Sequence, residues 1–157
     1  MVDVHSHAER VLYPWQIDEN QVTDSTMNFR NPAYDGQRGH TGDMYNEYIP
    51  QNDLHDYLVV TGKVADSINS VRGGVYRAQQ GPYSPIYPAS ATSMDYAYSR
   101  NFIDSKKTKI FAIAFETAKW FNPVTPETGE TAPQDEKWQV TKEISAGLIE
   151  FLFQRAS

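Results

Sequence analysis

Apolar and polar residues alternate from the second position of this chain. Val2–His7, V-D-V-H-S-H, carries a β-branched residue at every other early position and predicts a strand. Val11–Trp15, VLYPW, is a short apolar patch interrupted by Pro14. From Gln16 to Pro50 neither a helical nor a strand period survives, and Asn, Asp, Gly and Tyr recur. A loop of that length inside a domain is either functional or disordered. Asn52–Val71 then predicts a helix: Leu54, Leu58, Val64, Ile68 and Val71 fall near a 3.6-residue period. Asn52 or Asp53 is placed to cap it, and Gly73-Gly74 to stop it. Val75–Ser93 is rich in Tyr and Pro and reads as irregular, and Met94–Arg100 as a helical turn opening near Ser93. Ala118–Gln134 reads as a loop. Asp135–Arg155 predicts an amphipathic helix with Trp138, Ile144, Leu148, Phe151 and Leu152 on one side. Trp138 and Trp120 are expected to pack near that last loop.

Between these lies the most informative stretch, Thr108–Glu116, TKIFAIAFE. Lys109–Phe115 is almost wholly apolar, short, and rich in Ile and Phe, which predicts a central strand covered on both faces. Glu116 stands where the run ends. A carboxylate in such a place either finds a cation or takes up a proton more readily than usual. Strand ends are also where open α/β sheets place their chemistry. Two readings follow for Glu116: a general base tuned by burial, or a strand-end acid paired with one of the fourteen Lys and Arg.

Composition narrows the function classes. A chain of 157 residues has the size of one domain and can bury a core. The net charge is −6 and no basic cluster is present, which argues against nucleic acid as a main partner. No apolar run approaches the length of a membrane-spanning helix, and the first ten residues carry no charged-then-apolar leader. With no Cys, thiolate catalysis, disulfides and Cys-based zinc sites are excluded. Asp18, Glu19, Asn20 and Asp24 cluster oxygens, but their spacing fits no Ca²⁺ loop, and a solvated turn is expected.

Three blocks occur in order: DVHSHAERVLYPW, SPIYPASATSMDYAY and FAIAFET. Together, followed by a capping helix, they resemble the C-terminal half of the zinc carboxypeptidases of the A, B and T group. The resemblance implies roles for particular residues. His5 matches the third zinc ligand, and Ser6 a residue lining the substrate cleft beside it. His7 falls where that family has Tyr. Tyr87 matches the mobile Tyr that closes over the bound C-terminus. Met94 matches the position at the base of the specificity pocket, where an apolar side chain implies an apolar C-terminal residue. Asp95 matches a structural Asp, and Glu116 the general base. Peptide or protein C-termini are the implied partners. Family members are often secreted or periplasmic, but the compartment of this chain is not fixed by its sequence.

The departures from that pattern are as informative. The family's first two zinc ligands come as H-x-x-E upstream of the third, and this chain has no H-x-x-E. His40 and Asp43 keep the spacing, with Asp for Glu, but follow His5 instead of preceding it; a solvated loop His is expected. The Arg residues that read a substrate carboxylate have no match in order. The resemblance therefore implies a single domain, an α/β partial mixed sheet flanked by helices, holding one zinc ligand, the base and part of the pocket. A complementing N-terminal half carrying H-x-x-E and Arg is the expected partner, and the strand Val2–His7 is expected to present an open edge. Without that half, the chain is expected to bind zinc weakly and to hydrolyse nothing. The competing expectation is a catalytically inactive peptide-binding module.

Overall fold

A computed structural model describes residues 1–119 and 136–156. Its centre is a mixed four-stranded sheet in the order β1 (Val2–Ser6), β6 (Ile113–Thr117), β2 (Arg10–Tyr13), β5 (Arg77–Gln80). β1 runs parallel to β6, β6 antiparallel to β2, and β2 parallel to β5. The apolar run is thus a central strand, as expected, but it starts later. Pairing with β1 begins at Val2 opposite Ile113, so Lys109–Ala112 lead into the strand without joining it, and Glu116 lies inside β6. Lys109 is instead drawn to Asp53.

Helices cover both faces. α1 (Gln51–Asn69) and α3 (Glu136–Ala156) pack against each other, and α3 also packs on β6. Val11, Ile113 and Phe115 meet Val64, Ile68 and Phe151 there. On the other face α2 (Ser93–Ile103) sets Met94 and Ala97 against Leu12, Ala112 and Ala114. Alternation along β6 sends Ile113 and Phe115 one way and Ala114 and Glu116 the other. Thr92 caps α2, its side chain accepting from the Asp95 N–H at 3.2 Å.

Several expectations are corrected. α1 is entered through Pro50 with no side-chain cap, and Asp53 accepts from the Tyr98 hydroxyl at 2.5 Å instead. Its buried face runs through Tyr57, Val60, Thr61, Val64, Ala65 and Ile68, while Leu58 is exposed. α3 turns Trp138 and Leu152 outward and buries Glu136, Glu143, Gly147 and Phe151. Gly147 lets α1 and β6 come close: a Cβ there would lie 2.8 Å from Ile68 Cδ1 and 3.0 Å from Phe115 Cε2. The supposedly irregular Val75–Ser93 contains β5. The segment 16–50 contains a two-stranded ladder, β3 (Asn20–Gln21) with β4 (Glu47–Tyr48), and a 3₁₀ turn at Pro32–Tyr34. Asp18 is fully buried, not solvated, and accepts from the Glu19 and Gly39 N–H groups. Trp120 and most of the Ala118–Gln134 loop fall outside the described residues.

Candidate active site

β1 and β6 end side by side, and their register decides what meets there. His5 is the pairing partner of Glu116, and Asp3 that of Ala114. Paired residues on neighbouring strands point to the same face, and so do residues two apart on one strand. Asp3, His5 and Glu116 therefore share the face on which α2 lies. The imidazole and the acid expected to cooperate are neighbours across one ladder.

The local polar contacts run through Asp3. Its carboxylate takes a contact from His5 Nε2 at 3.1 Å and a hydrogen bond from the Ser93 hydroxyl at the start of α2. The Ser93 hydrogen bond is the largest influence and holds Asp3 below the usual carboxylate range; burial opposes it, and the contact with His5 adds to the lowering. Sequence spacing makes Asp3 visible as a same-face neighbour of His5; Ser93 reaches it only through the docking of α2.

Glu116 is pushed the other way. Burial raises its pKa; the imidazoles of His5 and His7 pull it down, and Asp3 adds to the rise. Among the described residues no Lys or Arg forms an ion pair with it. Arg10 is opposite Glu116 in the register but aims elsewhere, donating to Gln79 Oε1 at 2.7 Å and to the Ala8 and Glu9 carbonyls. The strand-end ion pair weighed from the sequence is therefore not made by any described Lys or Arg.

A cavity of about 380 Å³ opens above this end of the sheet. Ser6, His7, Ala8 and Glu116 form one wall; Gln16, Pro85, Ile86 and Tyr87 form the other. Tyr87 is 72% exposed on its Pro-flanked loop. Met94 does not line the cavity. It is buried beneath it with Leu12 and Ala97, and Ile86 packs against that cluster. Asp95 is buried and accepts the Gln16 N–H through both carboxylate oxygens, at 3.1 and 2.9 Å. Burial pushes its pKa up to about 7. This hold is what brings Gln16 to the cleft, a residue that no sequence spacing singled out.

His40 is exposed on the 16–50 segment, outside the cleft lining. A second cavity of about 210 Å³ lies at the opposite end of β6, among Asp53, Asp56, Tyr57, Lys109, Phe111 and Arg155. Its Asp53 is already held by Tyr98 and Lys109, and Arg155 lies over the Phe111 ring at 4.4 Å.

The sequence model of the zinc carboxypeptidases matches residues 1–133. The chain belongs to the zinc carboxypeptidase family. It is thus a member of a family of metallopeptidase hydrolases. A solved structure, the carboxypeptidase A from Helicoverpa armigera, superposes with a TM-score of 0.51 at 17% identity, over 96% of this chain. At that identity the likeness speaks for the fold, a partial carboxypeptidase-like α/β sheet flanked by helices. The chain spans 29% of the length of that structure. A comparison with curated protein sequences finds no match.

The family name implies zinc, and the donor set tests the fit. Among the described residues no three His, Asp or Glu side chains stand together so as to hold a metal ion. His5 has its Nε2 committed to Asp3, and Glu116 lies across the ladder from it. A catalytic zinc site needs three protein ligands and an open position. The described residues of this chain do not fit a complete site.

Proposed function

We propose that this chain contributes Glu116, its ladder partner His5 and the Tyr87 side of the cleft to a metallocarboxypeptidase. The reaction is release of an apolar C-terminal residue from a peptide. The supporting observation is the register of His5 with Glu116, which lines a cavity together with Tyr87. Glu116 acts as the general base. A carboxylate whose pKa is raised by burial is a better proton acceptor than a solvated one. Its role is to take a proton from the attacking water and return it to the leaving amine. Tyr87, on an exposed loop, hydrogen-bonds the substrate and screens it from solvent as the loop closes. Pro85 and Ile86 make an apolar side to the cleft, and Ile86 rests on the Met94 cluster. That favours an apolar C-terminal side chain.

The remaining zinc ligands and the Arg that reads the substrate carboxylate belong, in this proposal, to a complementing N-terminal half. The test is to mix the folded chain with such a half and zinc, and to assay a peptide ending in Phe or Leu. Cleavage is expected, and Glu116→Gln is expected to lower turnover by about 100-fold or more with the zinc content of the mixture unchanged. A folded, zinc-loaded mixture that binds the peptide without cleaving it would point to the inactive binding module. Persistent turnover in the Glu116→Gln mixture would remove Glu116 from the mechanism.

A further inference from the structure

We propose that Tyr76 is a positioning residue for this cleft: its hydroxyl clamps the turn that follows β6 and so fixes where Glu116 stands relative to β1. The inference rests on the role proposed for Glu116 only for its functional meaning. The clamp itself is a matter of geometry.

Ala118, two residues beyond Glu116, has φ = 64°. That left-handed region disfavours any residue with a Cβ, and a residue stays there only where its surroundings hold it. Both backbone groups of Ala118 are held. Its N–H donates to the Tyr76 hydroxyl oxygen at 3.0 Å, and its carbonyl accepts from the Ala8 N–H at 3.2 Å. Ala8 follows His7 in the cleft wall. The second bond therefore ties the exit of β6 to the exit of β1, the two segments that carry Glu116 and His5.

Tyr76 is itself fixed from every side. It is buried, and both backbone groups bond the Asn69 side chain, N–H to Oδ1 at 2.8 Å and carbonyl from Nδ2 at 2.9 Å. Its hydroxyl donates to Glu143 Oε2 at 3.1 Å. Arg72 grips Glu143 through Nε at 2.5 Å and Glu136 at 2.6 and 2.8 Å. The phenol is thus the tip of a rigid arm anchored in α1 and α3. Packing of the ring does not need the hydroxyl, but the Ala118 turn does.

The test uses the full chain and amide hydrogen exchange. In the wild type the Ala118 amide must be protected; rapid exchange there overturns the proposal with no variant needed. Tyr76→Phe is expected to speed exchange at Ala8 and Ala118 by tenfold or more, while Val64 and Ile68 in α1 keep their wild-type protection. Adding Ala118→Gly is expected to restore protection at Ala8, because glycine holds a positive φ without the clamp. Unchanged exchange at Ala8 in Tyr76→Phe, or a loss that Ala118→Gly does not reverse, overturns the proposal. In the complemented mixture Tyr76→Phe is expected to lower kcat about tenfold with KM within twofold, and Ala118→Gly to recover most of it. A mixture inactive with the wild-type chain counts against the proposed function, and the exchange result decides the clamp independently.

Discussion

Two glutamates lie close to opposite ends of the same short chain of contacts. Glu143 is 1% exposed and meets Arg72 and the Tyr76 hydroxyl. Glu116 stands two residues before the Ala118 turn that Tyr76 holds, and among the described residues no hydrogen bond or ion pair with a Lys or Arg reaches its carboxylate. The difference separates structural from chemical carboxylates. A carboxylate offers about four lone-pair directions. Where protein donors occupy them, the group fixes neighbours in place. Where they open on a cleft and no described Lys or Arg pairs with the group, it remains available to a substrate or a water. Removal of the first should therefore damage the fold, and removal of the second only the chemistry.

The sharpest way to break this contrast is Arg72→Met. It leaves Glu136 and Glu143 buried without their guanidinium, and losing one partner of a buried ionic group costs roughly 3–5 kcal/mol. Urea denaturation should read that loss. Glu116→Gln in the same assay should lie within about 0.5 kcal/mol of wild type, as for a side chain outside any saturated network. Similar losses in both variants would erase the distinction. Next in size is Gly147→Val, on the helix that carries Glu143. The added atoms would collide with Ile68 and Phe115, and overpacking of this kind costs about 1–3 kcal/mol. An unchanged urea midpoint would mean that α3 can shift, and with it the anchor of Tyr76.

The same contrast explains what the sequence made legible. β1, α1 and α3 are visible as periodic runs, β6 as a continuous apolar run and α2 as a helical turn, with boundaries displaced by a few residues because packing partners set the ends. β5 is invisible: Arg-Ala-Gln-Gln has no apolar alternation, and it is a strand because β2 offers it an edge. The buried face of α3 keeps Leu148 and Phe151 of the expected stripe but is completed by Glu143 and Gly147, residues a hydrophobic count ignores. Glu143 becomes an interior residue only when Arg72 arrives from beyond α1. At the cleft, the three motifs pointed to His5, Ser6, Tyr87 and Glu116, and register and cavity bring these to one end of the sheet. Met94 lies beneath the cleft instead of in its wall. Gln16 escaped notice because its position depends on a contact 79 residues away in the chain, with Asp95.

Asp95 is an intermediate case and gives a smaller prediction. It is buried like Glu143, but its main partners are backbone N–H groups and, among the described residues, no cation pairs with it. Burial therefore prevails and lifts its pKa to about 7, above the ordinary carboxylate value near 3.9. The folded state then binds this proton more tightly than the unfolded state does. The resulting stabilisation is complete below the unfolded pKa and is lost as pH rises through about 7. Urea midpoints should fall from pH 5 to pH 8, with at most about 1.4 kcal/mol per pH unit from this one group. Glu47, pushed up to about 6 by burial, acts in the same direction. Asp95→Asn should flatten the slope without abolishing it. Identical slopes in the two proteins would mean that Asp95 is already satisfied in its ionised form.

The smallest effect is expected at His40, and it tests the contrast from its empty side. His40 and Asp43 have the spacing of a ligand pair, yet the turn they occupy is held by other groups. Gly39 and Gly42 have φ of 88° and 82°, and their N–H groups donate to the Asp18 and Glu19 carboxylates at 2.7 and 3.0 Å. Asp43 accepts the Tyr45 N–H at 2.7 Å. His40 is exposed and supplies none of these contacts. His40→Ala should thus change stability by less than about 0.5 kcal/mol and leave the zinc content of the complemented mixture where it was, whereas His5→Ala should lower that content. Loss of zinc on replacing His40 would show that spacing, and not the register of β1 with β6, selects the ligand. The assignment of the cleft would then move to the 16–50 segment.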